Sequence, residues 1–577
     1  SFKVGQMQNR NLQSFLLDGR NVVPSSEKNS GYKLSCKRSM NVGQKDAMKR
    51  AFYEDNLFMI QGPPGTGKTT VIKLLVKEYL KSDPGVRILI ASQANVAVDN
   101  VLKGLIYDKD GKKYNDYMVR CGSGQKIDPE LNCISLETLY DSYRKGLEGR
   151  REIDEEIYEK WLEFIQPSKG LNADIGELLI RRKRIVGATC VGIARKNIGL
   201  DRETFDIVII DEAGKALPTE LLIPMIKAKK VILIGDHKQL PPVINPALYD
   251  PEKIELENRN FVLDQLFEVS YFEKMYNAVP SSNKAMLNIQ YRMPEVIGNM
   301  VSQLFYEGKL YNGEGTEVKA PIFHNKNLVF YDMRNIVDYR EVQENTSVVN
   351  LYEAVFLCQV LKKLHKKNSE VRIAIITPYK GQKRLLQKTM LQEKIDMKKI
   401  ACDTVDSFQG DEAEVVIFCM TRSQKPTRYF NDNRRLNVAF SRAKNELILI
   451  GSSGYFKKFR KSKSVMPEIG EYLKTYAEII VEKQKVKLTK KEEITQNMIL
   501  MLSDIVIDSN VCQEHIDEGK RDRYIKEFYE YNNKIITPIE VKRKNGKYYL
   551  VHGIDIYSAC NLMEQEECYC YAGKEQP

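Results

Sequence analysis

Short apolar runs recur along the chain at Leu57 to Ile60, Val86 to Ala91, Ile185 to Thr189, Asp206 to Ile210 and Val231 to Ile234, then at Val371 to Thr377, Glu414 to Met420 and Glu446 to Ile450. They are β-branched and nearly continuous rather than alternating, which predicts strands buried on both faces, as in parallel sheets covered by helices. The stretches between them carry amphipathic helical patterns, so the chain reads as α/β. The runs form two groups, predicting one core over 40–245 and a second over 285–455, joined through 246–284. A cleft between two such cores is a natural nucleotide site. Within the first core, 102–184 is strongly charged and mostly helical in pattern (YRKGLEGRREIDEEIYEKWLEF), which predicts a helical insertion that either faces solvent or contacts nucleic acid.

A length of 577 residues gives room for three to five domains with several cores. The excess of 89 Lys and Arg over 77 Asp and Glu, a net +12, suits a polyanionic partner without identifying one. Eleven cysteines form no C-x-x-C pair, and Cys190, Cys358 and Cys419 fall inside apolar runs. They read as reduced, buried thiols of a cytosolic protein. No apolar stretch approaches the roughly 18 to 20 residues that span a bilayer, and no signal core opens the chain. A start at Ser1 rather than methionine leads us to expect a fragment of a longer protein.

The strongest chemical signal is GPPGTGKTT at 62–70, directly after the run Leu57 to Ile60. Strand, glycine-rich loop and helix stand in the order a phosphate-binding loop requires. Gly62, Gly65 and Gly67 let backbone N–H groups close round phosphates, Lys68 reaches the β and γ oxygens, and Thr69 holds Mg²⁺ at the helix start, with Thr70 beside it. The ligand this predicts is ATP with Mg²⁺. Asp211 and Glu212 end the buried run of DIVIIDEAGKALP, where Asp211 is assigned to Mg²⁺ and Glu212 to the general base for the attacking water. A helix cap is the structural alternative for this pair.

In this order the motifs resemble the superfamily 1 helicases, in particular the Upf-like group that moves 5′ to 3′. The resemblance covers 40–455 and implies two RecA-like parallel-sheet motor domains acting as a monomeric, ATP-hydrolysing motor on single-stranded DNA or RNA. It places Gln44, in MNVGQKDA, as the adenine reader. GDHKQLPP places Gln239 as the γ-phosphate sensor, and QYRMP places Arg292 as an arginine finger. TVDSFQGDEAEVVIF supplies Gly410 near the γ-phosphate and Glu412 for the ribose; NDNRRLNVAFSRAKNELILIG supplies Arg442, the second finger. ASQANVAVDN and VGATCVGIA look like the family's strand-contacting segments, giving Ser92, Asn95 and Thr189 on the first core. Thr377, Tyr379 and Thr404 are the corresponding expectation on the second.

Upstream, QMQNRNLQSFLLDG within 1–39 looks like the helix that precedes the motor in this family. The resemblance leads us to expect that the small β-barrel usually found before it and the namesake's metal-binding domain are missing, which would bear on duplex separation more than on hydrolysis. The stretch 456–502 is basic (KKFRKSKS, VEKQKVKLTKK) and reads as a linker or solvated face. Residues 503–577 look like a small α+β domain of the ParB/sulfiredoxin type: an opening strand, a helix, TPIEV, a hairpin at KNG, and a helix starting at HGIDIYSA. That family's arginine-rich phosphate turn is replaced by Gly553 to Ile556, so a recognition module, open to a protein partner, is the expectation. Cys560, Cys568 and Cys570 with His552 match no standard zinc spacing and read as reduced, partly buried thiols, and no nuclease carboxylate cluster stands out. Two function classes remain open: a translocating ATPase, and an ATP-regulated clamp or scaffold that recruits a partner without unwinding.

Overall fold

The structure, a computed structural model, describes residues 8–9, 11, 14–15, 18–24, 34, 40–107, 114–148, 172–242, 270–344, 347–408, 410–460, 462–483, 497–507, 517–530, 539–544, 547–563, 565 and 567–572. Most of the expected N-terminal helix, the middle of the charged insertion, most of the 246–284 connection, residues 484–496 of the basic linker and residues 545–546 of the KNG turn lie outside the described residues. The chain divides into two units, Ser1–Gln290 and Tyr291–Pro577.

The first unit is built on strands β1 (Leu57–Gln61), β2 (Ile88–Ser92), β3 (Met118–Arg120), β4 (Ile185–Thr189), β5 (Phe205–Asp211), β6 (Ala228–Gly235) and β7 (Lys284–Met286). They form one all-parallel sheet in the order β3-β4-β2-β5-β6-β1-β7. Successive residues feed opposite faces, as a strand's period of two dictates: Leu57 and Met59 join one hydrophobic cluster and Phe58 and Ile60 another. This explains the unbroken apolar runs, since neither face meets water; truncating Ile60 to alanine costs about 2–5 kcal/mol. Helix α1 (Val42–Tyr53) starts from a reciprocal cap in which the Asn41 side chain accepts from the Gln44 N–H and the Gln44 side chain accepts from the Asn41 N–H.

Three elements here depart from the sequence reading. β3 lies inside the predicted helical insertion, whose described helices are Leu136–Glu148 and Ala173–Arg181. At three residues it is too short to show a pattern. β7 and the helix Tyr271–Ala278 belong to the first unit, although they fall in or beside the predicted connection; Phe272, Met275 and Val279 pack into its core.

The second unit contains a parallel sheet of β8 (Leu328–Asp332), β9 (Ile373–Thr377), β10 (Ile400–Thr404), β11 (Ala413–Cys419), β12 (Ala443–Gly451) and β13 (Glu478–Val481), in the order β10-β9-β11-β12-β8-β13. β13 and the helix Met466–Tyr476 lie in the predicted linker. The basic residues there disguise a core face, because Tyr455, Phe456, Phe459, Met466, Ile469 and Leu473 are all buried. The C-terminal part carries a five-stranded sheet of β14 (Asn497–Met501), β15 (Ile505–Val506), β16 (Ile539–Lys544), β17 (Lys547–His552) and β18 (Glu567–Ala572), with helices Glu518–Glu530 and Ile554–Leu562. β16 and β17 pair antiparallel, as the hairpin signal predicts. Cys560, Cys568 and Cys570 are buried in this core, with 3.6 Å between the Sγ atoms of Cys568 and Cys570. Among the described residues no group of three or more His, Cys, Asp or Glu could hold a metal ion, and no helix is long and apolar enough to cross a membrane.

Candidate functional site

In the first unit the glycine-rich loop leaves the carboxyl end of β1 and enters α2 (Lys68–Ser82). Gly67 caps this helix in the left-handed region, φ 81°, and a Cβ there would lie 2.7 Å from the Gln44 Nε2. The left-handed backbone favours glycine here, and a side chain would also displace the Gln44 amide. Gln44 is buried and donates from Nε2 to the Thr66 carbonyl at 2.9 Å, so the expected adenine reader is tied to the phosphate loop. Lys68 Nζ donates to the Gly62 carbonyl at 2.8 Å and lies 3.8 Å from Glu212 Oε1. Thr69 is half-buried and Thr70 exposed at the helix start.

β5 delivers Asp211 and Glu212 to the same edge. Gly235 at the end of β6 lets the turn after β5 approach closely; a Cβ on it would meet the Gly214 nitrogen at 2.6 Å. Glu212 is held at φ 54°, a left-handed conformation disfavoured for a side-chain-bearing residue, and its N–H donates to Asp211 Oδ1 at 2.9 Å. Burial, and next the negative charge of Glu212, push the Asp211 carboxyl up to about 7, against the opposing pull of Lys68. A buried carboxylate of this kind, facing a helix start that carries Thr69, fits a divalent cation, whose charge would offset both effects. The loop, the lysine and the carboxylates thus fit ATP with Mg²⁺.

Gln239 follows β6 and is buried, its Nε2 donating to Asp236 Oδ2 at 2.8 Å. Asp236 Oδ1 accepts in turn from Gln61 Nε2 at 3.3 Å. Asp236 has no role among the residues the motifs single out; its place three residues before Gln239 in GDHKQ is the signal that points to it. The residues expected to meet a strand stand beside this centre. Ser92 is in register with Thr189 on one side and with Asp211 on the other. Ser92 is buried, Thr189 and Asn95 half-buried.

In the second unit the predicted residues separate into two groups. Gly410 and Glu412 precede β11, and Arg442 precedes β12, so all three lie at the amino ends of their strands. Arg292 joins them: its Nη2 is 2.7 Å from Glu412 Oε2, while Lys444 Nζ is 2.6 Å from the other oxygen. Burial alone would raise the Glu412 carboxyl, but Arg292 and Lys444 outweigh it and hold it below the usual range. Arg442 is almost wholly buried, with Nε donating to the Val438 carbonyl at 3.0 Å. Lys444 and Lys319, which donates to the Tyr291 and Arg292 carbonyls, complete a cationic cluster that the motifs alone did not reveal.

Thr377, Tyr379 and Thr404 lie at or just beyond the opposite, carboxyl ends of β9 and β10. Thr377 and Thr404 are buried, and Tyr379 half-buried beneath the Arg422 guanidinium, 5.3 Å from the ring centroid. Under them sits Glu353, fully buried and accepting from Tyr339 Oη, Gln382 Nε2, and the Thr421 N–H and Oγ1. Thr421, at φ 63°, in turn meets Thr377 Oγ1 at 3.1 Å. Burial pushes Glu353 up to about 7 despite these donors.

A phosphate loop on one doubly wound parallel sheet, an Asp-Glu pair closing a neighbouring strand and a second parallel sheet with an arginine cluster define a nucleoside-triphosphate-hydrolysing motor of two RecA-like domains. Two family models, each described as an AAA domain, match residues 39–160 and 144–246, and residues 267–454. An uncharacterised ATP-dependent helicase of Methanocaldococcus jannaschii is 30% identical over 487 residues, 73% of this chain and 69% of that protein. The ATP-dependent helicase NAM7 of Saccharomyces cerevisiae is 31% identical over 437 residues, 72% of this chain and 42% of NAM7. The DNA polymerase alpha-associated DNA helicase A of Schizosaccharomyces pombe is 29% identical over 459 residues, 73% and 64% of the two chains. The chain belongs to the Upf-like superfamily 1 helicases and is an ATP-hydrolysing enzyme. It spans less than two thirds of the two yeast relatives.

Proposed function

We propose that this chain couples ATP hydrolysis to 5′ to 3′ movement along single-stranded nucleic acid, DNA or RNA. The observation that carries the reading is the register Thr189, Ser92, Asp211 across three adjacent strand ends. Neighbouring strands lie about 4.8 Å apart, so a strand held by the first two residues would sit within two strand spacings of the carboxylates that handle ATP.

In this reading Gly62, Gly65, Gly67, Lys68, Thr69 and Thr70 hold the triphosphate, and Gln44 faces the adenine. Thr69 and Asp211 would hold Mg²⁺, which when bound offsets charge on the β and γ oxygens. Glu212 takes the proton of the attacking water, and Gln239, fixed by Asp236, senses the γ-phosphate. Arg292 and Arg442 stabilise charge on the transferred phosphoryl, with Gly410 beside it and Glu412 accepting from the ribose. Thr377, Tyr379 and Thr404, with Ser92, Asn95 and Thr189, grip the strand, and a difference in that grip between nucleotide states makes stepping directional. The C-terminal part serves as a recognition module for a protein partner, and the protein works in a cytoplasmic, reducing setting.

The test is steady-state ATP hydrolysis with no nucleic acid, with single-stranded DNA and with single-stranded RNA, each at two salt concentrations. Stimulation that weakens with salt identifies the track. Equal turnover in all conditions would overturn the motor reading.

A further inference from the structure

Arg120 ends the short edge strand β3, and its guanidinium is completely buried. Placing a cation there costs several kcal/mol unless its donors are met. Each of its three nitrogens has an acceptor: Nε donates to Asp99 Oδ1 at 2.6 Å, Nη1 to the Cys121 carbonyl at 2.7 Å, and Nη2 to Asn95 Oδ1 at 2.8 Å. Asn95 and Asp99 are four apart on helix α3 (Asn95–Ile106), so one helix face presents both acceptors. The second Asp99 oxygen accepts from the Asp128 N–H at 3.1 Å, completing its environment.

The ion pair is satisfied by Asp99, but the third bond reaches the residue expected to meet the strand. Guanidinium is a donor only, so the Asn95 carboxamide must turn its oxygen toward Arg120. Its N–H₂ is then the end turned away, at the first residue of a twelve-residue helix whose free backbone N–H groups favour an acceptor. The β3 register sets this arrangement beside the strand ends already described, because Arg120 pairs with Gly187, two residues before Thr189.

We propose that Arg120 is a positioning residue for the nucleic-acid strand: it holds the Asn95 oxygen inward so that the Asn95 amide is presented as a donor to a phosphate or sugar oxygen. The inference rests on the reading that Asn95 touches the strand. It excludes a purely structural role for Asn95 as a partner that quiets a buried charge, and the two roles rank substitutions in opposite order. As a structural partner, Asn95→Asp should be the mildest change, since a carboxylate pairs well with Arg120, and Asn95→Ala the worst. As an oriented donor, Asn95→Asp should be the worst, because it turns an oxygen outward toward phosphate.

The experiment measures binding of fluorescein-labelled oligothymidylate and oligouridylate to the full chain by anisotropy, with melting temperature recorded for each variant. Asn95→Asp is expected to weaken binding about tenfold or more, and Asn95→Ala by a smaller factor. The paired variant Arg120→Met/Asp99→Leu removes both charges and keeps an apolar pair of similar volume; it should weaken binding severalfold and shrink the additional effect of Asn95→Ala. If the paired variant melts early, Arg120→Lys, which keeps the charge but loses the fork, replaces it with the same expectation. An Asp variant that binds better than the Ala variant overturns the proposal. So does wild-type binding by the Arg120 variants while Asn95→Ala keeps its full effect. If neither Asn95 variant changes binding, the strand reading of Asn95 itself fails, and the inference with it.

Discussion

The two parallel sheets use their edges differently. In the first unit the phosphate loop, Asp211, Gln239, Ser92 and Thr189 all stand at carboxyl ends of strands, so candidate nucleotide and strand residues are lateral neighbours. In the second, Glu412 and Arg442 stand before β11 and β12, while Thr377 and Thr404 close β9 and β10 at the other end. At about 3.3 Å per residue, the seven residues of β11 put about 20 Å between these poles. In the proposed reading the first sheet passes a change from phosphate to strand through adjacent loops, and the second does so only as a stiff body, because close-packed strands transmit displacement rather than absorb it.

Substitutions can break this contrast. The largest effect should come from Glu212→Gln, which should lower kcat about 10³-fold while a fluorescent ATP analogue still binds; near-normal turnover would remove Glu212 as the base. Lys68→Ala should instead weaken binding of that analogue itself. At the amino pole of the second sheet, Arg442→Ala should lower kcat about 10²-fold with a smaller change in the KM for ATP. A pure KM effect would place Arg442 outside the transition state. At the carboxyl pole, Thr404→Ala should raise the oligonucleotide concentration for half-maximal stimulation severalfold, and its failure to do so would dissolve the two-pole description. The smallest effect concerns Glu353, whose pKa rises from about 4.5 toward about 7 on folding. Its contribution to stability is therefore present at low pH and is lost as pH rises through about 7. The melting temperature of wild type should fall relative to Glu353→Gln between pH 5 and pH 8, and parallel curves would show that Glu353 stays ionised throughout.

The parts legible in the sequence were those whose physics is local. A phosphate loop needs glycine at left-handed positions, and strands buried on both faces must be continuously apolar, so 62–70 and most central strands announced themselves. Three residues of β3 and three of β7 could not, because they are strands only by pairing with β4 and β1. The segment 456–481 was obscured for another reason. Five lysines and arginines crowd 457–463 and give its start the look of a solvated face, while Phe456, Phe459 and Leu473 are buried. Partners such as Asp236 for Gln239, Lys444 for Glu412 and Arg120 for Asn95 depend on side chains meeting across the fold. Sequence spacing hints at the first and carries no signal for the other two.

Gln44 belongs at once to a helix and to a binding loop. Its oxygen closes the cap that starts α1, and its amide nitrogen braces the carbonyl of Thr66. On the proposed role of Gln44 at the adenine, a lineage drifting toward another nucleobase would replace this glutamine, and would then lose one half of the cap that starts α1 and the support of Thr66 together. In that reading the choice of fuel is fastened to local folding.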